Sequence, residues 1–414
     1  MLKEPILHTI PIEDLMKSSI ADYQKEKTFP SDKLNKTSLW KKLLHERQLK
    51  KLFNNLLDEL EPYLPEIKDQ IESRTETSSP DLQEVKSLLV EFLQEIDKRE
   101  LLFDQPFLNY FISQGYMDVA EAFLLRARKE DSRLIDQEIF QALRNVWIMN
   151  SLQLYWDISL ELTTPMYAYS MLYPYTDNLL DDPDISDRTK YEFNQRLAAV
   201  LSGETVVSTQ IIEKRIFSLV EQIKSHYPED THPEVTESIQ LIHRAQVESL
   251  LQGKSEPLTE EEILTVSFFK GGTSVLADAY LIKGSLTKNE MDFAFQYGAL
   301  LQLLDDLQDK KEDEKNLDQT LFSIKHTEES IDKEIRRLIA YIYSVNVENK
   351  SDNHNTALLK EVISQCTLLM VMQTVGDSPE MVTRSLYKEL ESYSKVRLSF
   401  YNELQKKMKE FLGQ

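Results

Sequence analysis

The sequence predicts an all-α protein, and three observations predict it. Nine of its 414 residues are glycine. Runs of β-branched and aromatic residues bounded by turn residues are almost absent. Apolar residues instead recur three and four positions apart, the spacing that lines one face of a helix.

The elements follow in order. The first thirty-odd residues, with Pro5, Pro11 and Pro30, read as an extended arm. A helical pattern begins near Ser38 and runs through WKKLLHERQLKKLFNNLLDELEPYL. The polar stretch ESRTETSSPD, with Pro80, is a candidate domain boundary. Helical patterns follow in LQEVKSLLVEFLQEIDKRELL, in MDVAEAFLLRARK and in IDQEIFQALRNVWIMNSLQLYWDISLEL. Pro165 interrupts the last of these and starts or kinks the next helix, PMYAYSMLYPYTDNLLDD. Three more are expected at 187–224, 234–252 and 260–283. Thr287 to Glu290 form a capping box that opens another. Three helices close the chain, one starting at Ser378-Pro379. No internal repeat or low-complexity segment is present.

Bulk chemistry narrows the function. There are 70 acids against 48 lysines and arginines, a formal charge of −22. Such a surface repels nucleic-acid backbones. It does not exclude a phosphorylated ligand, because bound cations invert the local field. The single cysteine, Cys366, sits in an apolar helical run and reads as a core residue. The start, MLKEPILHTIPIEDLMK, does not read as a signal peptide, and no apolar run approaches a membrane span. A soluble, cytoplasmic protein that is not an integral membrane protein is expected. The seven histidines supply no HExxH pattern, His243 reads as a packed or surface residue, and no nucleotide-binding glycine motif appears.

Two acidic stretches carry the chemistry. In LLQLLDDLQDKKED (300–313), Asp305 and Asp309 are four apart and share a helix face. Asp306 and Asp313 flank that face, Gln302 lies one turn earlier, and Gly298 one turn before that. The leucines between them belong against neighbouring helices. Like carboxylates at this spacing repel one another, and a hard divalent cation relieves the repulsion. In PYTDNLLDDPD, Asp177 and Asp181 repeat the spacing, with Asn178 and Asp182 beside them and Pro183 ending the helix. Tyr173, Ser170 and Met166 lie below. In a chain this acidic either pair alone reads more readily as a solvated helix end, by about two to one. Together, each at the end of an apolar helix, they suit a greasy pocket with a cation-binding mouth. Its ligand would have a hydrocarbon tail and a diphosphate head. A third stretch, SFFKGGTSVLADAYL, places Lys270 before Gly271-Gly272. Glycines in mid-helix cost about 1 kcal/mol each. They either break the helix, freeing amides for phosphate, or allow close helix packing.

The segment GALLQLLDDLQD resembles the second aspartate-rich motif of isoprenyl diphosphate synthases, with Leu301-Gln302 in place of Phe-Gln. DNLLD at 177–181 is similar to their first motif, with asparagine in its second place, and Lys270 matches their diphosphate-contacting lysine. YTDNLLDD and LLDDLQDKKED together most resemble the bacterial large-terpene synthases, a subclass of class I terpene synthases. The likeness covers roughly residues 140–410. It implies a class I isoprenoid synthase helical bundle with an N-terminal helical extension, divided as 1–130 (arm and extension) and 131–414 (α domain).

The resemblance further implies a lyase that ionises a long allylic prenyl diphosphate to a linear or cyclic terpene and diphosphate. Magnesium is the implied cofactor, as three ions. Asp177 and Asp181, with Asp182, would hold two of them. Asp305 and Asp309, with Asp306 and Asp313, would hold the third. Lys270 would neutralise the diphosphate, and Asn178, Gly271, Gln246 and Gln302 would contact substrate, although both glutamines serve equally well as ties between helices. Tyr173, Phe268, Phe269 and Tyr297 would line the cavity for the cation, whose charge favours aromatic faces. Arg397 and Tyr401 share a helix face, suited to a lid contact or, better, to a structural role. A homodimer and partitioning of product into membrane are compatible with this. Chain-elongating synthases carry a Gly-Lys and arginine cluster before the first motif and an arginine pair after it. Neither is found; Arg188 and Arg196 are isolated. DDLQD is nevertheless more elongase-like than cyclase-like. The rivals are a chain-elongating prenyl diphosphate synthase and a non-catalytic helical module that binds a prenyl lipid or a protein.

Overall fold

A computed structural model of the chain describes residues 10–25, 29–63, 80–181, 184–249, 257–347 and 353–412. Among them are seventeen α-helices and no strand, so the chain is all-α as its apolar spacing predicts. The helices gather into two compact units. The first combines Met1–Lys25, Asp118–Ala127 and Leu134–Ser323, and the second combines Glu26–Met117, Arg128–Arg133 and Ile324–Gln414. This grouping is not a single cut after residue 130. The C-terminal segment supplies Val396 and Phe400 to a core that also contains Leu49, Ile96 and Leu101, which ties it to the N-terminal helices.

The first unit is built around the helix Glu260–Lys283. Between Gly271 and Leu281 every residue except Ser274 is buried, the mark of a helix enclosed on all sides. Thr259 caps its start by accepting from the Glu262 amide, and Gly284, at φ +74°, ends it in the left-handed conformation that glycine adopts without steric cost. The helices Ile12–Lys25, Asp136–Tyr155, Thr164–Asp181, Pro233–Ser249 and Lys288–Gln308 all touch it. The expected capping box is formed: Thr287 Oγ1 accepts from the Glu290 amide, and the Glu290 carboxylate accepts from the Thr287 amide at 2.8 Å.

Five details differ from the sequence reading. Five helices rather than three follow Lys288–Gln308 among the described residues. The arm contains the helix Ile12–Lys25, because Leu15, Ser19 and Tyr23 fall on one stripe and bury it. The pattern at 187–224 is two helices, Asp187–Leu201 and Ile211–His226, separated after Gly203 turns the chain at φ +86°. Ser378-Pro379 opens only a 3-10 turn; the helix Arg384–Tyr393 begins later, capped by Thr383. One described helix, His354–Asp377, is long and apolar enough to cross a membrane by length and composition, and 56% of that window is buried in the fold. In the polar linker, residues before Pro80 lie outside the described residues, and Pro80 itself opens the helix Pro80–Lys98.

In the second unit, Arg397 donates to both oxygens of Glu46, Nε to Oε1 at 2.9 Å and Nη2 to Oε2 at 2.6 Å. Arg397 therefore ties helices together rather than serving a lid. Cys366 is partly buried, and desolvation pushes its thiol up to about 12, in keeping with an unreactive thiol.

Candidate functional site

Two glycines set the geometry of the site. A Cβ on Gly271 would stand 2.4 Å from the Gly298 carbonyl oxygen, and one on Gly298 would stand 2.1 Å from the Gly271 oxygen. The helices Glu260–Lys283 and Lys288–Gln308 thus meet backbone to backbone. The first runs unbroken through Gly271-Gly272, so the expected break with free amides is not formed. Of the two readings of these glycines, close packing is the one realised: Gly272 makes room for the Phe295 ring in the same way. Gly271 offers no amide to a phosphate; it brings Lys270 close to the acidic helix.

The result is a cleft of about 530 Å³. Lys270 and Ser274 line it from one helix, and Gln302, Asp305, Asp306 and Asp309 from the other. Asp313 and Asp318 complete the acidic side, and Gln246 faces the cleft from Pro233–Ser249. Asp305 is half-exposed, with Arg144 Nη2 at 3.8 Å from its Oδ1. Loss of water in the cleft pushes its carboxyl up, Arg144 pulls it back, Asp309 raises it again and Lys270 lowers it. Asp309, the residue between Lys288–Gln308 and the short helix Lys310–Asn316, is raised chiefly by desolvation and then by Glu312. Asp313 accepts from Thr320 Oγ1 at 2.8 Å and is pushed up to about 6, chiefly by desolvation.

Asp306 differs from the others. It is 4% exposed, and its two oxygens accept from Ser267 Oγ at 2.9 Å and from Gln302 Nε2 at 2.8 Å. Burial raises its carboxyl to about 7. Expected among the metal ligands, it lines the cleft, accepts one hydrogen bond at each oxygen and holds the Gln302 amide.

The first acidic motif ends the helix Thr164–Asp181. The side chains of Asp177, Asn178 and Asp181, and the whole of Asp182, lie outside the described residues. Tyr173, one turn before Asp177, lines the same cleft, and its hydroxyl is 2.6 Å from Ser274 Oγ and 3.0 Å from Tyr169 Oη. The other expected aromatics are packed elsewhere. Phe268 is fully buried against Tyr23, Phe269 lies beneath the Arg244 guanidinium, and Tyr297 is stacked on Phe293. Successive helical residues are turned about 100° from one another. The faces carrying Phe268, Phe269 and Tyr297 are therefore rotated off the Lys270–Ser274 and Gln302–Asp305 stripes.

An apolar cavity of about 40 Å³ adjoins the cleft, sharing Tyr173, Ile242 and Gln246 with it and continuing along Leu197, Leu201 and Val220. His243 lies at its edge, with Nε2 3.3 Å from the Asn194 carbonyl, and desolvation lowers its pKa.

Two residues at the site escaped sequence reasoning. Arg144, a lone arginine on the apolar helix Asp136–Tyr155, supplies a cation before the first motif where no cluster is present. Asp278 continues the stripe Lys270–Ser274 by one more turn and is 0% exposed. Its Oδ1 accepts from Asn145 Nδ2 at 3.1 Å, and Oδ2 has no hydrogen-bond partner among the described residues. Burial raises its carboxyl well above the usual range. A polar stripe of three residues four apart, Lys270, Ser274 and Asp278, through an apolar helix was the available signal.

Among the described residues, no three carboxylate, histidine or cysteine side chains are grouped so as to hold a metal. Magnesium does not require such a group, since one or two carboxylates suffice beside phosphate oxygens and water. The half-exposed oxygens of Asp305 and the exposed Asp309 fit that donor set. Against models of known protein families and against curated protein sequences, the chain finds no match.

Proposed function

We propose that this chain ionises an allylic prenyl diphosphate, releasing diphosphate and a linear or cyclic terpene. One observation carries the reading. Acids from Lys288–Gln308, Lys270 from Glu260–Lys283 and Tyr173 from the helix of the first acidic motif line one cleft, and an apolar cavity opens beside it. The resemblance of both motifs to those of class I terpene synthases supports it.

Asp305 and Asp309, with Asp313 and with Asp177 and Asp181 of the first motif, would hold magnesium. When bound, magnesium supplies Lewis-acid stabilisation of the departing diphosphate. Lys270 and Arg144 bind diphosphate oxygens as fixed positive charges. Asp306 holds Gln302, and Gln302 and Gln246 orient the head group by donating hydrogen bonds. The Tyr173 ring and the apolar side chains beyond it exclude water and face the cation left on carbon. At about 40 Å³ the adjoining cavity is smaller than the tail it must hold, so its apolar walls must part as substrate enters.

The test is a product profile across prenyl diphosphates of increasing length, with magnesium, with and without isopentenyl diphosphate. Hydrocarbon formed from one substrate, and lost in Asp305→Ala, is the expected result. A lengthened diphosphate formed only with isopentenyl diphosphate would make the chain an elongating transferase. No turnover, and no thermal stabilisation by a prenyl diphosphate with magnesium, would leave a non-catalytic module.

A further inference from the structure

In the second unit, one helix presents to solvent a face unlike the rest of the chain. The helix Leu39–Leu60 buries Leu49, Phe53, Leu56 and Leu60, which recur three and four apart along one side. Trp40 lies opposite that stripe. At about 100° per residue, Leu43, Leu44, Arg47 and Lys51 fall on the side of Trp40. Trp40 is 84% exposed, and Leu39, Leu43 and Leu44 are exposed with it. A single exposed leucine needs no explanation, but four large apolar side chains in one and a half turns form a patch.

The charge around the patch is also reversed. Residues 33–51 hold seven lysines and arginines against one acid, Glu46, in a chain with 70 acids to 48 bases. Two of the seven are engaged by acids: buried Lys42 pairs with Glu391, and Lys50 pairs with Glu403 at 2.7 Å. Glu46 is itself held by Arg397. Lys36, Lys41, Arg47 and Lys51 are exposed and meet no carboxylate among the described residues. The other acids of the helix, Asp58 and Glu59, stand in its last turn, about 27 Å from Trp40 at 1.5 Å per residue.

An indole and leucines, followed along the same face by unpaired cations, match the two layers of an anionic bilayer surface. Apolar side chains enter the boundary between head groups and acyl chains, and lysine and arginine meet the phosphates. A second copy of the chain fits this face less well. Self-complementary pairing would bring Arg47 and Lys51 against their own counterparts. We propose that this face docks the chain on an anionic lipid surface, with Trp40, Leu43 and Leu44 at the head-group boundary and Arg47 and Lys51 against lipid phosphates. The inference does not depend on the prenyl diphosphate reading, because no residue of the catalytic cleft takes part.

The test is sedimentation of the full chain with vesicles of phosphatidylcholine alone and of phosphatidylcholine mixed with phosphatidylglycerol. Binding should be at least roughly tenfold tighter to the mixed vesicles and should weaken as salt is added, because salt screens the surface charge. Arg47→Glu/Lys51→Glu should weaken it at least roughly tenfold by reversing two charges at the surface. Trp40→Ser/Leu44→Ser should abolish it, and Lys270→Ala, in the catalytic cleft, should leave it unchanged. On mixed vesicles the tryptophan fluorescence of the wild type should shift to the blue, and Trp40→Phe should remove the shift. That shift decides the matter if a double variant melts early. No binding to mixed vesicles, equal binding to neutral ones, or affinity unchanged by either double variant would overturn the proposal. So would a dimer in the absence of lipid that Trp40→Ser/Leu44→Ser dissociates, since the face would then belong to a second copy.

Discussion

Gly271 and Gly298 pack carbonyl against Cα across two helices, with no room for a single methyl group on either. That contact fixes how far Lys270 stands from Asp305 and at which turn the two stripes meet. Gly298→Ala should therefore destabilise the chain by about 1–3 kcal/mol, the usual cost of overpacking, since backbone rather than a side-chain tip must give way. Urea unfolding checks the stability. Turnover should fall as well, because the lysine and the acids are forced apart. A variant with wild-type midpoint and activity would mean the helices can slide without cost.

Asp278 predicts a pH dependence. Its folded carboxyl is raised by burial, while in the unfolded chain it titrates near 3.9. Below that value both states are protonated and the group costs nothing. As pH rises through it, the unfolded chain ionises and the folded one does not, so stability falls. Asp306, raised to about 7, acts in the same sense between about pH 4 and 7. The protein should be more stable near pH 5 than near pH 8, and Asp278→Asn should narrow that difference and raise stability at neutral pH. Urea midpoints at both pH values measure it. A variant as pH-sensitive as the wild type would show that Asp278 is ionised in the fold.

Arg144→Gln should separate stability from function. Its contact with Asp305 is half-exposed on both sides, so its loss should move stability by no more than about 0.5 kcal/mol. Turnover of an allylic diphosphate should fall by about tenfold to a hundredfold, as a positive charge leaves the mouth of the cleft. Unchanged kcat/KM would place Arg144 outside the binding of the head group.

Arg397→Ala should do the reverse. It strands the Glu46 carboxylate, whose side chain is 4% exposed, and should cost about 1–3 kcal/mol, reduced from the buried-pair value because the arginine is partly in water. Calorimetric unfolding reads the loss. At a temperature where the variant is folded, kcat should match wild type; a specific drop would revive the lid role for the C-terminal helix.

The local features were legible in the sequence because they depend on neighbours along the chain. The all-α class follows from apolar spacing. The start of Lys288–Gln308 follows from Thr287 and Glu290, and the grouping of Asp305, Asp309 and Gln302 on one face follows from helical geometry. What remained open was what each face meets. Phe269 and Tyr297 are aromatic and near the motifs, yet a rotation of about 100° along the helix puts them in the core. Asp306 stands beside Asp305 in sequence, yet Ser267, on another helix, has taken up one of its oxygens.

The sequence by itself determined the all-α class, the Thr287–Glu290 cap and the acidic stripe of Asp305 and Asp309, since each rests on residues within a few turns of one another. Only the tertiary structure decided that Gly271 meets Gly298, that Arg144 reaches Asp305, and that Val396 and Phe400 join the core of the N-terminal helices. Those are pairings between surfaces far apart in the chain. They are selected by which shapes and charges fit once all the helices compete for the same interior, and no local pattern encodes that choice.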